Sequence, residues 1–237
     1  MTQEDHPQCA ALLAGLHALG LSLPGEQITR LLSYLDLISR WNKTYNLTAV
    51  RDPNEMLTQH LLDCLAVVPA LGRAAAELAQ ASVLGALGQG AGAQPRLRLL
   101  DVGSGAGLPG VVLAITHPDW AVTCVDTVGK KAAFIRQVGV ELGLRNLTAT
   151  HQRVEEMIAP AFHIVTSRAF ASLLDFVSLT RERLAPGGLW AAMKAKLSDE
   201  ERAAVPTDVQ MFHVEPLTVP GLDAQRCVVW LRRAPAP

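Results

Sequence analysis

The stretch Leu99-Leu-Asp-Val-Gly-Ser-Gly-Ala-Gly-Leu-Pro-Gly-Val-Val-Leu-Ala114 decides how the rest of the chain is read. It begins in an apolar run over 97–102, broken only by Arg98 and Asp101. Glycines follow at 103, 105, 107 and 110, and a helix-length apolar segment opens at Val111. Strand, glycine turn and helix in that order make the nucleotide-binding crossover of an open α/β sheet. Lacking a Cβ, such a turn passes close beneath a ligand and tolerates positive φ. The helix behind it directs its free amides at whatever lies there.

Two ligands compete for this turn. Gly105-x-Gly107-x-x-Gly110 satisfies the dinucleotide pattern, and Asp126 closes the next apolar run, where an acid for ribose hydroxyls belongs. Asp101 separates the two. It sets a carboxylate two residues before the first glycine, giving Asp-x-Gly-x-Gly-x-Gly. That acid would repel a pyrophosphate. S-adenosylmethionine carries an ammonium and a sulfonium and no phosphate, so an acid there favours it. The plain alternative is a glycine-rich turn that serves tight strand–helix packing alone.

Downstream, apolar strand patterns fall at 97–102, 121–126, 146–150, 162–167, 188–194, 209–215 and 225–232. Helix patterns fall between them at 107–117, 129–143, 172–185 and 198–204. This alternation predicts an α/β fold: a Rossmann-like, doubly wound, mainly parallel seven-stranded sheet. The last two strands are joined without a helix and are expected to form an antiparallel pair at one edge. A mostly parallel sheet with one reversed edge strand is the class I S-adenosylmethionine-dependent methyltransferase pattern, and not that of dinucleotide dehydrogenases.

Upstream, residues 3–19 read as a helix, and Pro24 opens a second whose stripe is Ile28, Leu31, Leu32, Leu35 and Ile38. Trp41-Asn-Lys-Thr-Tyr-Asn-Leu-Thr48 breaks that periodicity. Asp52 caps a further helix with Pro53 at its first position, running towards Pro69. His60 and Asp63 on it read as a structural pair rather than a catalytic one. Residues 82–95 carry no charge and read as a connector. The expected division is a helical subdomain over 1–81, a connector over 82–96 and a Rossmann-like domain over 97–237.

The 237 residues suffice for one large domain, or a domain with a small subdomain, and 49% hydrophobic content supports a sizeable core. No stretch has the length and apolarity of a membrane span, and Met1–Pro7 lacks the basic-then-apolar order of a secretory signal. Cysteines 9, 64, 124 and 227 are scattered, without metal-like spacing. They read as reduced thiols, three of them in apolar surroundings, so a cytoplasmic, metal-free monomer is expected. A net charge of −1 argues against a whole-surface nucleic-acid binder. Residues 129–196, however, hold ten Lys/Arg against five Asp/Glu, while the remainder holds eleven against seventeen. The excess fits a local basic face for a polyanion, or charges that merely solvate helices.

Ligands of open α/β sheets lie at the carboxyl ends of the strands. Asp101 with Gly103, Gly105 and Leu108 ends the first strand. Asp126 ends the second, as a ribose acceptor or a helix cap. Val154 and Glu155 follow the third, fitted to adenine or simply acids in the first turn of a short helix. The fourth ends in Ser167-Arg168-Ala169-Phe170, where a guanidinium meets carboxylate or phosphate and a ring meets a base. Lys194 and Lys196 end the fifth and are candidates for RNA phosphates. The Asn/Asp-Pro-Pro-aromatic motif of exocyclic-amine methylation is absent after the fourth strand, and no cysteine nucleophile suited to cytosine C5 stands at a strand end. A ring nitrogen such as guanine N7 needs no proton removed before it attacks a sulfonium methyl. Alignment and desolvation then carry the reaction, with no residue as acid or base.

The chain resembles the bacterial small-subunit ribosomal RNA methyltransferase G family, also called glucose-inhibited division protein B. The matching segments are Trp41–Thr48, Arg51–Met56, His60-Leu-Leu-Asp63, Asp101–Gly110, Gly129-Lys-Lys131, Arg153-Val-Glu-Glu156 and Ser167–Ser172, in the family's order. The resemblance implies methylation of guanine N7 in the 530 loop of 16S rRNA, with S-adenosylmethionine as donor and the small ribosomal subunit or an assembly intermediate as partner. It implies that Gly103, Leu108, Val154, Glu155 and Arg168 line the cofactor pocket. It also ties loss of the methyl group to low-level streptomycin resistance. Residues 82–95 look like an insertion relative to the family, and Lys194-Ala195 replaces its usual Lys-Gly.

Two other classes compete. A nicotinamide oxidoreductase needs a proton-donating Tyr, Lys or His at the strand ends, and the sequence shows neither Tyr nor His there. A non-enzymatic ribosome-assembly factor would keep the fold and bind RNA regardless of cofactor.

Overall fold

The structure, a computed structural model, describes residues 5–81, 96–168, 170 and 172–235. The expected connector lies outside these residues, apart from Arg96. The helical region comprises α1 (Cys9–Ala18), α2 (Gly25–Tyr45), α3 (Pro53–Met56), α4 (Asp63–Leu65) and α5 (Val68–Gln80), with wide π-helical turns over Leu57–Leu62 between α3 and α4. Then follow β1 (Arg98–Val102), α6 (Gly110–Thr116), β2 (Ala121–Asp126), α7 (Gly129–Glu141), β3 (Leu147–His151) and β4 (Phe162–Arg168). The chain closes with α8 (Leu173–Thr180), β5 (Leu184–Lys194), α9 (Asp199–Ala203), β6 (Val209–Leu217) and β7 (Arg226–Arg233).

The seven strands form one sheet in the order β3-β2-β1-β4-β5-β7-β6. Strands β1 to β5 pair in parallel, and β7 runs antiparallel to both β5 and β6. This is the mainly parallel, seven-stranded α/β sheet that the alternation predicts, with one reversed strand. The reversed strand is thus second from the edge, not the edge strand itself. Burial explains the inversion. Val228, Val229 and Leu231 of β7 are fully buried, which demands a partner on each side, whereas β6 has a single buried residue, Val209, and tolerates the edge.

Side chains of period two face opposite layers. Leu99, Cys124 and Ile164 join the cluster that also contains α1, α2, α5, α6 and α7 residues. Leu100, Val125 and Val165 join the second cluster, under α8. The helical region and one face of the sheet therefore share a continuous core. Inside the sheet, His163 accepts the Arg98 amide at 2.8 Å. Burial pushes its imidazole down to about 4, which keeps it a neutral acceptor.

Helix α1 starts at Cys9 rather than at residue 3, and β5 starts at Leu184, where the expected helix over 172–185 gives way. Two further boundaries differ from the sequence reading for reasons that the structure shows. Helix α2 runs on through Trp41–Tyr45, because Asn42 has a buried place for its amide. Its Oδ1 accepts the Thr48 amide at 2.9 Å and its Nδ2 donates to the Val50 carbonyl at 3.1 Å. The helix ends at Asn46, which takes a left-handed φ of 47°. Pro69 opens α5 instead of closing the preceding helix. Asp52 caps α3 as the sequence indicates, accepting the amides of Asn54 and Glu55. Among the described residues no helix is long and apolar enough to cross a membrane.

Candidate cofactor and substrate site

At the carboxyl end of β1, Gly103, Gly105 and Gly107 adopt φ of 67°, 60° and 92°, a backbone that L-residues with a Cβ rarely take. The Gly103 amide donates to the Val125 carbonyl at 2.9 Å, which fastens the turn to β2. Asp126 completes the fastening. Its Oδ2 accepts the Gly105 amide and its Oδ1 the Val128 amide, both at 2.8 Å. Asp126 is not the helix cap that the sequence left open, since α7 starts from Val128 without a side-chain cap. It braces the turn and the entry to α7, and each oxygen keeps a lone pair, since a carboxylate accepts about four hydrogen bonds.

Asp101 lies beneath the turn, fully buried, rather than on its open side. Its Oδ2 accepts the Gly110 amide at 2.9 Å, while Oδ1 has no hydrogen-bond partner among the described residues. Burial pushes the carboxyl up to about 6, against the Gly110 amide and Ser104, which favour its charge. Leu108 is also buried, in the core shared with α2, and is on the wall of neither cavity at the strand ends. Tyr34 of α2 reaches the turn from behind and donates to the Ala106 carbonyl at 2.7 Å. Nothing in the sequence pattern singled Tyr34 out.

Two cavities open at the strand ends. One, of about 220 Å³, is walled by Gly103, Asp126, Gln152, Val154, Glu155 and Phe170 among others. The other, of about 420 Å³, is walled by His60, Asp63, Arg168, Phe170, Lys196 and Arg226 among others. Phe170 belongs to both. The structure thus brings Gly103, Asp126, Val154 and Glu155 together, as the sequence reading grouped them, and sets Arg168 on the neighbouring cavity instead. Glu155 is exposed, and its own amide and Arg153, at 2.7 Å, hold its carboxyl below the usual range.

The larger cavity also revises three details. Lys194 is not a free cation. Its ammonium binds Glu201 and donates to the Phe170 carbonyl at 3.3 Å, leaving exposed Lys196 as the available lysine of the two. His60 and Asp63 do not pair. His60 Nε2 meets the Thr48 hydroxyl at 2.7 Å, whereas Asp63 accepts from Arg168 and Arg226. Histidines do reach the strand ends: His151 closes β3, and His60 comes from the helical region, where burial and then Arg168 push its imidazole below its usual value. The arrangement can hold a cationic, ribose-bearing ligand over the glycine turn and an anionic one beside the arginines. Asp63 and Arg226 were missed as cavity residues because the contact spans 163 residues.

The family model described as rRNA small subunit methyltransferase G (GidB) matches residues 27–229. A protein named ribosomal RNA small subunit methyltransferase G from Acidovorax sp. strain JS42 is 57% identical over 222 residues, 94% of each chain. One of the same name from Methylibium petroleiphilum is 55% identical over 219 residues, 92% of this chain and 91% of that one. Among solved structures, TrmN from Thermus thermophilus aligns with a TM-score of 0.49 at 20% identity, over 66% of this chain and 48% of that one. By the extent of the family match and the identity to these relatives, the chain belongs to the rRNA small subunit methyltransferase G family.

Proposed function

We propose that this enzyme transfers the methyl group of S-adenosylmethionine to N7 of a guanine in the 530 loop of 16S rRNA. The observation that carries the reading is the pair of adjoining cavities sharing Phe170, with Asp126, Val154 and Glu155 on one and Arg168, Lys196 and Arg226 on the other.

The donor set suits this cofactor. A buried, unpartnered carboxylate oxygen of Asp101 lies under the turn, and an acid there favours a cation and disfavours a diphosphate. Asp126 offers its remaining lone pairs to ribose hydroxyls, and Val154 with Glu155 lies where an adenine edge would be met. Bound in this way, S-adenosylmethionine supplies an electrophilic methyl group. The protein's residues hold the partners and exclude water. Phe170 separates the two cavities and gives an incoming purine a ring to stack on. Attack by the N7 lone pair on that methyl group would form the N–C bond, break the S–C bond with release of a neutral thioether, and leave the positive charge on the purine held beside Phe170. No proton leaves N7, so no side chain acts as base, and rate comes from alignment and desolvation.

Incubation with methyl-labelled S-adenosylmethionine and small-subunit RNA or particles lacking the modification tests the reading. Label at one guanine N7 in the 530 loop supports it. Absence of label on every ribosomal substrate, or NAD binding in place of S-adenosylhomocysteine, overturns it.

A further inference from the structure

One buried carboxylate joins two arginines from distant parts of the chain. Asp63 is 3% exposed. Its Oδ2 accepts from Arg168 Nη1 at 2.9 Å and its Oδ1 from Arg226 Nε at 2.8 Å. Arg168 Nη1 also donates to the Gln59 carbonyl at 2.8 Å, and Arg226 Nη1 to the Gln225 carbonyl at 2.9 Å. The carboxylate comes from α4, one guanidinium from the end of β4 and the other from the start of β7.

Donor and charge counts show what the cluster is suited to. A guanidinium has five N–H donors in a rigid fork. The bonds named above use Nη1 of Arg168, and Nε and Nη1 of Arg226. Both side chains remain partly exposed, at 21% and 24%, on the wall of the 420 Å³ cavity. Two guanidiniums and one carboxylate carry a net charge of about +1, and Lys196 adds to it on the same wall. Surplus fork donors with positive charge, held rigid before a ligand arrives, make a seat for an oxyanion.

We propose that Asp63 is a positioning residue that sets Arg168 and Arg226 as the two arms of a seat for a phosphate of the substrate RNA. The inference rests on the functional reading above. The cofactor's carboxylate is the rival oxyanion. The seat, however, faces the cavity that holds Lys196, and not the one walled by Gly103, Asp126 and Val154, so the RNA backbone is the better match.

The test uses the full chain and the variants Asp63→Asn, Asp63→Glu and Arg226→Gln. Affinity for unmethylated small-subunit RNA is measured across salt concentrations. Affinity for S-adenosylhomocysteine is measured by calorimetry, and the folded fraction by circular dichroism. Charge counting alone says that removing an acid tightens RNA binding. Positioning says the opposite: Asp63→Asn weakens RNA binding about tenfold, with cofactor affinity kept and partial recovery in Asp63→Glu. Arg226→Gln weakens RNA binding likewise and makes the salt slope shallower by about one, which keeps the test alive if Asp63→Asn does not fold. RNA affinity that is unchanged or tighter in the folded variants overturns the seat. So does weaker cofactor binding with RNA binding intact. A parent chain that binds RNA through this seat but transfers no methyl group sinks the functional reading and leaves the seat standing. A parent chain active on RNA, with variants equal to it, sinks the seat alone.

Discussion

The Tyr34 hydroxyl and the Ala106 carbonyl, 72 residues apart, meet in a 2.7 Å hydrogen bond behind the glycine turn. Tyr34 is fully buried, and that burial pushes its phenol well above its usual value, so the O–H remains a donor at every working pH. The bond ties the helical region to the back of the glycine turn. A Cβ at Gly107 would run into Val111 Cγ2 at 2.5 Å and stand 3.3 Å from the same hydroxyl, so the turn has no room to grow there.

Tyr34→Phe keeps the ring and leaves the Ala106 carbonyl without this partner. A buried acceptor left unpaired costs about 1–3 kcal/mol. The expected result is a lower melting temperature and several-fold weaker binding of S-adenosylhomocysteine, with RNA affinity retained. Calorimetry on the parent and the variant decides the matter. Equal cofactor affinities would show that the turn holds its shape without the hydroxyl.

Asp101 predicts a pH dependence with a definite sign. Its carboxyl is pushed up to about 6 in the folded chain against a usual value of 3.8. The folded state therefore holds this proton more tightly than the unfolded one. The resulting stability is fully present below 3.8 and is lost as pH rises through about 6. A cationic ligand works in the other direction, because it favours the ionised carboxylate. Cofactor affinity should rise between pH 5 and pH 7, with proton release on binding at the acid end, about one proton at most. Asp101→Asn should remove this dependence and stabilise the ligand-free chain above pH 6. Calorimetry in buffers of different ionisation enthalpy reads the proton count, and a flat profile in the parent would refute the assignment.

Gly110→Ala should be severely destabilising. Its Cβ would run into the Cys124 sulfur and come within 2.8 Å of Asp101 Oδ2, both in the crowded space under α6. The helix would have to lift off the sheet, breaking the bond from the Gly110 amide to Asp101. Overpacking of this kind costs about 1–3 kcal/mol, with the lost hydrogen bond in addition. Thermal melts of the purified variant, or its failure to accumulate as soluble protein, provide the measure. A melt within experimental error of the parent would mean that α6 has slack that the packing does not show.

What the sequence made legible follows the range of the interactions. The glycine turn, Asp126 at the end of β2 and the alternation of strands and helices are local patterns, and the sheet with its first cavity lies where those patterns place it. The place of β7 between β5 and β6 was not legible, because a hairpin is compatible with either strand at the edge and only burial over the whole sheet chooses. Helix α2 was cut short at Trp41 because the amides after it resemble a loop, whereas Asn42 spends its side chain on Thr48 and Val50. Lys194 looked like a free cation because Glu201 lies on a separate short helix. Asp63, Arg168 and Arg226 meet across 105 and 163 residues, a distance over which spacing in one sequence carries no signal.

Arg168 should be the most sensitive residue of the larger cavity, for two separable reasons. Its Nη1 holds both the Gln59 carbonyl and Asp63, so Arg168→Ala leaves a nearly buried carboxylate with Arg226 as its remaining ionic partner. Removing one partner of a buried pair costs about 3–5 kcal/mol, mostly from the charge left behind. Methyl transfer should fall to background as well, since the guanidinium lines the cavity that would receive the substrate. A double-mutant cycle with Asp63→Asn separates the effects. Stability should be partly restored in Arg168→Gln with Asp63→Asn relative to Arg168→Gln alone, because the half-paired buried carboxylate is gone and Arg226, 24% exposed, keeps water and the Gln225 carbonyl, while activity should not return. Recovery of both would make Arg168 a structural counterion only, and wild-type turnover in the folded Arg168→Ala chain would remove it from the site altogether.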